Sequence, residues 1–136
     1  MYEKYPIVLA IAAFICDSKG NILIVKKSEH EQIDAGLWVV PGGKVYPDEP
    51  ILNALSREVK EEVGLEITTH EWIGEDVFIA SGQYFHAQHF ICTAKTEPVI
   101  LEHKLTEFVW LSRDQVKNYT FPINLKKRII EIFTKK

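Results

Sequence analysis

Residues 43–65 read GKVYPDEPILNALSREVKEEVGL and predict a helix between two loops. Residues 47–50 favour a helix start, because proline suits a first turn, and Asp48 or a neighbour is expected to cap it. We expect the helix to run to about Val63 and to stop at Gly64, because glycine readily takes the left-handed conformation that ends many helices. A loop, a helix and a second loop therefore make up this segment.

Three glutamates share one side of that helix. At 100° per residue, Glu62 lies about 40° and Glu61 about 60° from Glu58, so the carboxylates occupy a wedge of about 100°. Their like charges repel, and a divalent cation would reverse this repulsion. Arg57 lies one turn before Glu61 and is placed to orient that carboxylate, while Glu49 is placed to receive Arg57. Taken alone, such a charged run also fits an ordinary solvated helix face. An adjoining apolar stripe, expected to face the core, consists of Ile51, Leu52, Leu55, Val59 and Val63.

The sequence on either side of the helix predicts strands. A turn at residues 17–21 separates the apolar residues 7–16 from residues 22–25, as in a hairpin in which Gly20 or Asn21 has a positive φ. Further strands are expected at residues 37–40, before a break at residues 41–43, at residues 72–80 and 84–94 around a turn at residues 81–83, and at residues 108–111.

The C-terminal part is expected to be helical. Ser112 is placed to cap a brief helix through Lys117, and Pro122 starts a final helix. The apolar face of that helix is expected to consist of Ile123, Ile129, Ile130 and Phe133. Mostly β segments with one central and one terminal helix predict an α+β fold in which helices cover a sheet.

The composition is that of an ordinary globular domain. The 136 residues, 46% of them hydrophobic and 26% charged, are expected to form one domain, residues 1–136. A net charge of −3 offers no broad attraction to nucleic acid. Residues 7–16 are too short to span a bilayer, which needs about 20 residues. Cys16 and Cys92 are interpreted as buried, reduced thiols of a cytoplasmic protein.

The same 23 residues match a known pattern at every specified position. The pattern is G-x5-E-x7-R-E-U-x-E-E-x-G-U, where U is aliphatic, and it is met by Gly43, Glu49, Arg57, Glu58, Val59, Glu61, Glu62, Gly64 and Leu65. The chain therefore resembles the Nudix hydrolase family, and residues 36–44 resemble the preceding segment of its MutT-like members. The resemblance implies a Nudix fold, an α/β/α sandwich with a central mixed sheet and a catalytic loop-helix-loop.

The resemblance also implies roles for the acidic residues. Glu58 and Glu62 are expected to be the principal ligands of Mg²⁺, with Mn²⁺ as the alternative. Glu61 is expected to be a further ligand or the general base, and the Gly43 carbonyl to join the coordination. We also count Arg57 among the catalytic residues. The resemblance implies that Arg57 and Glu49 form a pair that holds the acidic side chains in place.

A further carboxylate is expected from a loop after the helix. Glu102 is the preferred candidate, because residues 102–104 read as a loop before a strand. Glu107 and Glu97 are the alternatives. For substrate binding, the candidates are Lys44, Tyr84 and Phe85.

The expected reaction is hydrolysis of a phosphoanhydride bond in a nucleoside diphosphate derivative. A nucleoside triphosphate, cut to a monophosphate and pyrophosphate, is favoured over ADP-ribose, a sugar nucleotide or a dinucleoside polyphosphate. Ser81 stands where ADP-ribose enzymes often carry proline, and Tyr84 lies near a tyrosine position of dinucleoside polyphosphate enzymes. The alternatives of other kinds are an RNA 5′-end pyrophosphohydrolase and a non-catalytic nucleotide-binding module. The expected partner is a small nucleotide, without nucleic acid or membrane, and a homodimer stays open.

Overall fold

The computed structural model describes residues 6–135. The elements in chain order are β1 (Ile7–Ile15), β2 (Ile22–Lys27), β3 (Trp38–Val39), β4 (Gly42–Lys44), α1 (Ile51–Val63), β5 (Ile67–Ala80), β6 (Gln83–Ala94), β7 (Leu105–Leu111), a 3-10 helix (Arg113–Asn118) and α2 (Ile123–Thr134). No helix within these residues is long and apolar enough to cross a membrane.

The strands form two sheets. A mixed four-stranded sheet has the order β4-β1-β6-β5, in which β1 runs parallel to β6 and the other neighbours are antiparallel. A smaller antiparallel sheet has the order β3-β2-β7. The parallel pair joins distant parts of the chain, with nine residues of β1 paired to nine of β6.

The two helices cover opposite faces of these sheets. Side chains alternate along a strand, so Ile11, Ala13 and Ile15 of β1 pack with α1, whereas Phe14 packs with α2. In β2, Leu23 and Val25 pack with α1, and Ile22 and Ile24 pack with α2. The predicted α/β/α sandwich with a mixed sheet is confirmed.

The predicted hairpin of the first two strands is wrong except for its turn. Gly20 has the expected positive φ of 81°, and Cys16 and Ile22 form an isolated antiparallel bridge. Beyond that bridge, β1 and β2 belong to different sheets. The reason is that β1 pairs with β6 and β2 with β7, and these long-range ladders are more extensive than the single bridge.

The bounds of α1 agree with the prediction, but its cap does not. Gly64 ends the helix with a φ of 72°, and Gly64 donates its N–H to the Lys60 carbonyl at 3.1 Å. Pro50 occupies the cap position at the start, without a side-chain hydrogen bond to the helix, so Asp48 is not the cap. The predicted break at residues 41–43 is also partly wrong, because Gly42–Lys44 is itself a strand paired with β1.

Several predicted core positions are exposed. Leu52 in α1 is 45% exposed, and Ile123 and Ile130 in α2 are 72% and 43% exposed. Ile129 and Phe133 are buried as predicted, and Ile132 is buried as well. Apolar residues of α2 extend beyond the face that packs on the sheet, so their spacing alone did not separate Ile123 and Ile130 from the buried positions.

Other local predictions are confirmed. Ser81 and Gly82, with φ of 50° and 72°, turn the chain between β5 and β6. The brief helix begins directly after Ser112, whose N–H donates to Gln115 Oε1 at 3.0 Å. The final helix begins directly after Pro122.

Candidate active site

Two consecutive glycines let the edge strand β4 lie close to its neighbours. A Cβ atom on Gly43 would lie 2.6 Å from Glu58 Oε2, and one on Gly42 would collide with the Ile11 carbonyl oxygen. Both contacts are shorter than real Cβ atoms tolerate. The absence of a side chain at Gly43 therefore allows the Glu58 carboxylate to lie directly against the β4 backbone, and its absence at Gly42 allows β4 to lie against β1.

Arg57 is the centre of a hydrogen-bonded network at this edge. Its Nε donates to Glu49 Oε2 at 2.7 Å and its Nη2 to Glu49 Oε1 at 2.9 Å, a two-pronged contact. Its Nη2 also donates to the Lys44 carbonyl at 3.1 Å, and its guanidinium lies 4.0 Å from the centre of the Tyr46 ring. The Tyr46 N–H donates to Glu49 Oε1 at 3.1 Å, which anchors the loop before α1.

The third nitrogen of the Arg57 guanidinium contacts two of the helix glutamates. Its Nη1 donates to Glu58 Oε1 at 2.8 Å and to Glu61 Oε1 at 2.9 Å. Hydrogen bonding to Glu49 raises the pKa of Arg57 most, and Glu61 and Glu58 raise it further. The hydrogen bond from Arg57 lowers the pKa of Glu49. The predicted contacts of Arg57 with Glu49 and Glu61 are both present.

Glu62 lies deepest among the helix glutamates, with 9% of the residue exposed. Its Oε1 accepts a hydrogen bond from the Gly42 N–H at 3.2 Å. Burial raises the pKa of Glu62 to about 9, and the nearby Glu58 carboxylate raises it as well. In the absence of a cation, Glu62 is therefore protonated at neutral pH.

Glu102 joins this group from the loop after β6. Its backbone N–H donates to the Glu62 carbonyl oxygen at 3.0 Å, which ties the loop to the end of α1. Its Oε1 is buried without a hydrogen bond. Lys104 Nζ forms an ion pair with that oxygen at 3.2 Å, and this contact raises the pKa of Lys104. The structure thus brings Glu102 to the helix glutamates.

The alternative loop glutamates lie elsewhere. Glu107 is on β7, where its exposed side chain pairs with Lys26 at 3.7 Å. Glu97 is exposed. Neither lines the cleft beside Glu58 and Glu62.

A cleft of about 610 Å³ opens beside the acidic group. Glu58, Glu62 and Glu102 line one part of it, and Lys44 and Phe85 line another. The Phe85 ring stacks on Phe78 with centroids 5.1 Å apart and an angle of 4° between the planes. Lys44 Nζ lies 5.9 Å from the centre of the Phe85 ring.

The structure does not bring Tyr84 to this cleft. Phe85 and Tyr84 are neighbours on β6, and successive side chains of a strand point to opposite faces. Phe85 therefore lies among the residues lining the cleft, and Tyr84 does not.

The polar residues of the cleft that sequence reasoning missed include Asp76, His89, Lys104 and Asn124. They come from β5, β6, the loop before β7 and the start of α2. Asn124 Nδ2 donates to Asp76 Oδ1 at 3.0 Å, and this contact joins α2 to β5. Of these residues, Lys104 could have been expected from the sequence, because it lies two positions after the candidate Glu102.

Comparisons with known proteins agree with this architecture. A family model described as "NUDIX domain" matches residues 6–132. A CTP pyrophosphohydrolase of Escherichia coli K12 is 32% identical over 111 residues, covering 82% of this chain and 81% of that protein. An 8-oxo-dGTP diphosphatase of Buchnera aphidicola is 28% identical over 107 residues, covering 76% and 78%.

A solved structure extends the likeness to the whole fold. The MutT protein from Methanosarcina mazei Go1 superposes with a TM-score of 0.86 at 28% identity, covering 97% of this chain and 96% of that one. The match to the family model, the sandwich and the glutamates around Arg57 point the same way, and the chain belongs to the Nudix family of nucleotide phosphohydrolases.

Proposed function

We propose that the protein hydrolyses a nucleoside triphosphate to a nucleoside monophosphate and pyrophosphate, with Mg²⁺ as cofactor. The relatives whose names describe nucleotide pyrophosphohydrolysis support the reaction class. The single observation that carries the proposal is the convergence of Glu58, Glu62 and Glu102 at one part of a cleft large enough for a nucleotide.

The residues at this place fit a hard divalent cation. Glu58, Glu62 and Glu102 bring carboxylate oxygens to one part of the cleft, and Glu102 Oε1 is buried with the Lys104 ammonium 3.2 Å away. No three His, Cys, Asp or Glu side chains among residues 6–135 form a ready-made coordination set. Mg²⁺ prefers oxygen ligands, and it usually takes one or two carboxylates and completes its shell with water and phosphate oxygens.

We propose Glu58 and Glu62 as the principal ligands, with Glu61, Glu102 and the Gly43 carbonyl as further donors. Such a cation would neutralise charge on the phosphate oxygens and lower the pKa of a bound water. The ionisation of Glu62 is coupled to its arrival, because Glu62 is protonated at neutral pH without it.

The chain's own residues position the reaction. Arg57 orients Glu58 and Glu61 by separate short hydrogen bonds, and Glu49 fixes Arg57 from the opposite side. We propose Glu61 as the acceptor of the proton from the attacking water, because its side chain is 47% exposed and remains accessible. Lys44 is proposed to contact the phosphates, and Phe85 to pack against the nucleoside.

We also propose that residues 1–136 act as one domain in the cytoplasm, on a small nucleotide rather than a nucleic acid or membrane. Cys92 is a buried thiol and Cys16 is half-buried, and reduced thiols agree with a reducing compartment. Burial raises the pKa of the Cys92 thiol to about 12, so it is unreactive at neutral pH.

The experiment that tests this function is a hydrolysis panel with identification of the products. It compares nucleoside triphosphates, ADP-ribose, sugar nucleotides, dinucleoside polyphosphates and 5′-triphosphorylated RNA, each with Mg²⁺ and with a chelator. We expect monophosphate and pyrophosphate from a nucleoside triphosphate, with Mg²⁺ only. Inactivity on the whole panel, or release of inorganic phosphate alone, would contradict the proposal.

A further inference from the structure

A buried histidine lies among the residues that line the cleft. His89 of β6 is 3% exposed and lines the cleft. It belongs to a row of paired residues that crosses the four-stranded sheet, formed by Gly42, Ala12, His89 and Gly74. Gly42, at one end of this row, donates its N–H to Glu62. The row therefore connects His89 with Gly42, the residue whose backbone N–H contacts the acidic group.

The distance along that row suits a nucleotide. Neighbouring strands are about 4.8 Å apart, so His89 lies two strands, or about 10 Å, from Gly42 on β4. The cleft surface between them is lined by Ala10, Ala12 and Ala87, whose small side chains leave room for a flat ring. With phosphates beside Glu62, a ribose would span the gap and the base would reach His89.

Arg128 determines which nitrogen of His89 carries the proton. Arg128 Nε donates a hydrogen bond to His89 Nδ1 at 3.0 Å. Because a guanidinium has no acceptor, Nδ1 must be unprotonated. Burial lowers the pKa of His89 to about 4, and the positive charge of Arg128 lowers it further, while Glu131 opposes the shift. The ring is therefore neutral at pH 7, with its hydrogen on Nε2.

The position of Arg128 is itself fixed. Its Nη1 pairs with Glu131 at 3.1 Å, and its Nη2 lies 3.5 Å from the Glu75 carbonyl oxygen. A Cβ atom on Gly74, whose φ is 132°, would lie 2.5 Å from that Nη2. The bulge in β5 at Gly74 thus makes room for the guanidinium next to His89.

His89 Nε2 is left as a donor toward the cleft. The Nε2 atom makes no hydrogen bond within residues 6–135. Among these residues, Glu102 Oε1 is the one fully buried side-chain oxygen or nitrogen without a hydrogen bond, so Nε2 is not fully buried. Nε2 therefore keeps some contact with solvent, and this contact is through the cleft that His89 lines. A fixed N–H donor with no partner is suited to an acceptor on a ligand.

We propose that His89 is a specificity-determining residue, whose Nε2–H donates a hydrogen bond to a carbonyl oxygen of the nucleobase, and that Arg128 is its positioning residue. The inference rests on the proposed function for the placement of the phosphates. The proposed contact is with a carbonyl oxygen, which cytosine, uracil, thymine and guanine carry. Adenine has no carbonyl oxygen and could offer the Nε2–H only a ring nitrogen.

A spectroscopic test needs no variant protein and no catalysis. In protein labelled with ¹⁵N-histidine, we expect one of the five histidines to show the neutral Nε2–H form from pH 8 to pH 5. In buffer without divalent metal, its Nε2 resonance should shift on addition of CMP or GMP and much less with AMP. An Nδ1–H or charged ring at pH 7, or no response to any of these nucleotides, would overturn the inference.

Two variants separate the hydrogen bond from packing. His89→Leu removes the donor, and we expect KM for CTP, UTP and GTP to rise roughly 3- to 10-fold while KM for ATP and all kcat values stay within about 2-fold. His89→Gln keeps an N–H donor and should retain most of the selectivity. Arg128→Gln replaces an obligate donor with an amide that can also accept a hydrogen bond from Nδ1–H, so the Nε2–H tautomer is no longer fixed and the selectivity for carbonyl bases should fall.

The two proposals fail in different ways. If the wild-type enzyme hydrolyses triphosphates but His89→Leu keeps the same ratio of kcat/KM for CTP and ATP, the inference about His89 is overturned and the proposed function stands. If no triphosphate is hydrolysed but the Nε2 resonance responds selectively to CMP and GMP, the proposed function fails and the base contact stands.

Discussion

Arg57 and Glu49 form a two-pronged ion pair, with Nε 2.7 Å from Oε2 and Nη2 2.9 Å from Oε1. The two residues are eight positions apart, one in α1 and the other in the loop before it. Glu49 thereby turns the third nitrogen of the guanidinium toward Glu58 and Glu61. A carboxylate outside the acidic group thus determines the orientation of two carboxylates within it.

This relationship predicts the effect of Glu49→Gln. The amide cannot accept both hydrogen bonds, so Arg57 is released and the orientation of Glu58 and Glu61 is lost. We expect kcat/KM to fall by about 10- to 100-fold, the range typical of partners that orient metal ligands. Glu66→Gln, which removes an exposed pair with Lys95, is the matched control and should leave activity unchanged. Equal activities of the two variants would contradict the role of Glu49.

Glu62→Gln should inactivate the enzyme and yet stabilise it without metal. The pKa of Glu62 is raised to about 9 in the folded protein, above the ordinary value of 4.5. Its contribution to stability is therefore intact below pH 4.5 and is lost as pH rises toward 9. Glutamine keeps the hydrogen bond from Gly42 and avoids this loss. Turnover should drop by more than about 100-fold, since a proposed ligand is lost.

Thermal unfolding in a chelator measures the stability half of this prediction. The variant and the wild type should have similar Tm values near pH 4.5, and the variant should unfold at a higher temperature at pH 8. One kcal/mol corresponds to roughly 3–6 °C for a domain of this size. A difference in Tm that does not change with pH would show that the charge of Glu62 is not the cause.

The two glycines of β4 should respond differently to alanine. At residue 43 the new Cβ meets the end of the Glu58 side chain, whereas at residue 42 it meets the backbone oxygen of Ile11. Gly43→Ala should therefore lower activity by about 10-fold or more, with little change in Tm, because the Glu58 side chain can move away from the new Cβ atom. Gly42→Ala should lower Tm by several degrees. Full activity of folded Gly43→Ala would contradict the placement of Glu58.

Glu102 is expected to contribute to the binding of Mg²⁺, and Glu107 is not. Glu102→Gln removes a charge beside Glu62 and should weaken the apparent affinity for Mg²⁺ by about 10- to 100-fold. Glu107→Gln removes only an exposed pair with Lys26 and serves as the control. Titration of activity with Mg²⁺ measures both. The assignment of the loop carboxylate is wrong if the two titrations coincide.

The extent of α1 and the pairing of Arg57 could be predicted because both depend on residues close in the chain. Gly64 ends the helix by its own backbone preference, and Glu61 is within one turn of Arg57. The pairing of β1 could not be predicted in this way, because its partner β6 lies about 75 residues further along. The local turn at Gly20 indicated a hairpin that the longer ladders override.

The part of the cleft lined by His89 shows the same limit. His89 and Arg128 come from β6 and α2, and neither is marked by a local motif. Their contact depends on the bulge at Gly74, which single-strand alternation does not reveal. Tyr84 and Phe85 were equally good candidates in sequence, and only the register of β6 decides which of them lines the cleft.

The most direct measurement is a crystal structure with Mn²⁺ and a non-hydrolysable nucleoside triphosphate, with the ion located by its anomalous scattering. We expect an anomalous peak bound by carboxylate oxygens of Glu58 and Glu62 and by oxygens of the triphosphate. A bound nucleotide with no ion beside those two residues, together with undiminished hydrolysis in a chelator, would contradict the account.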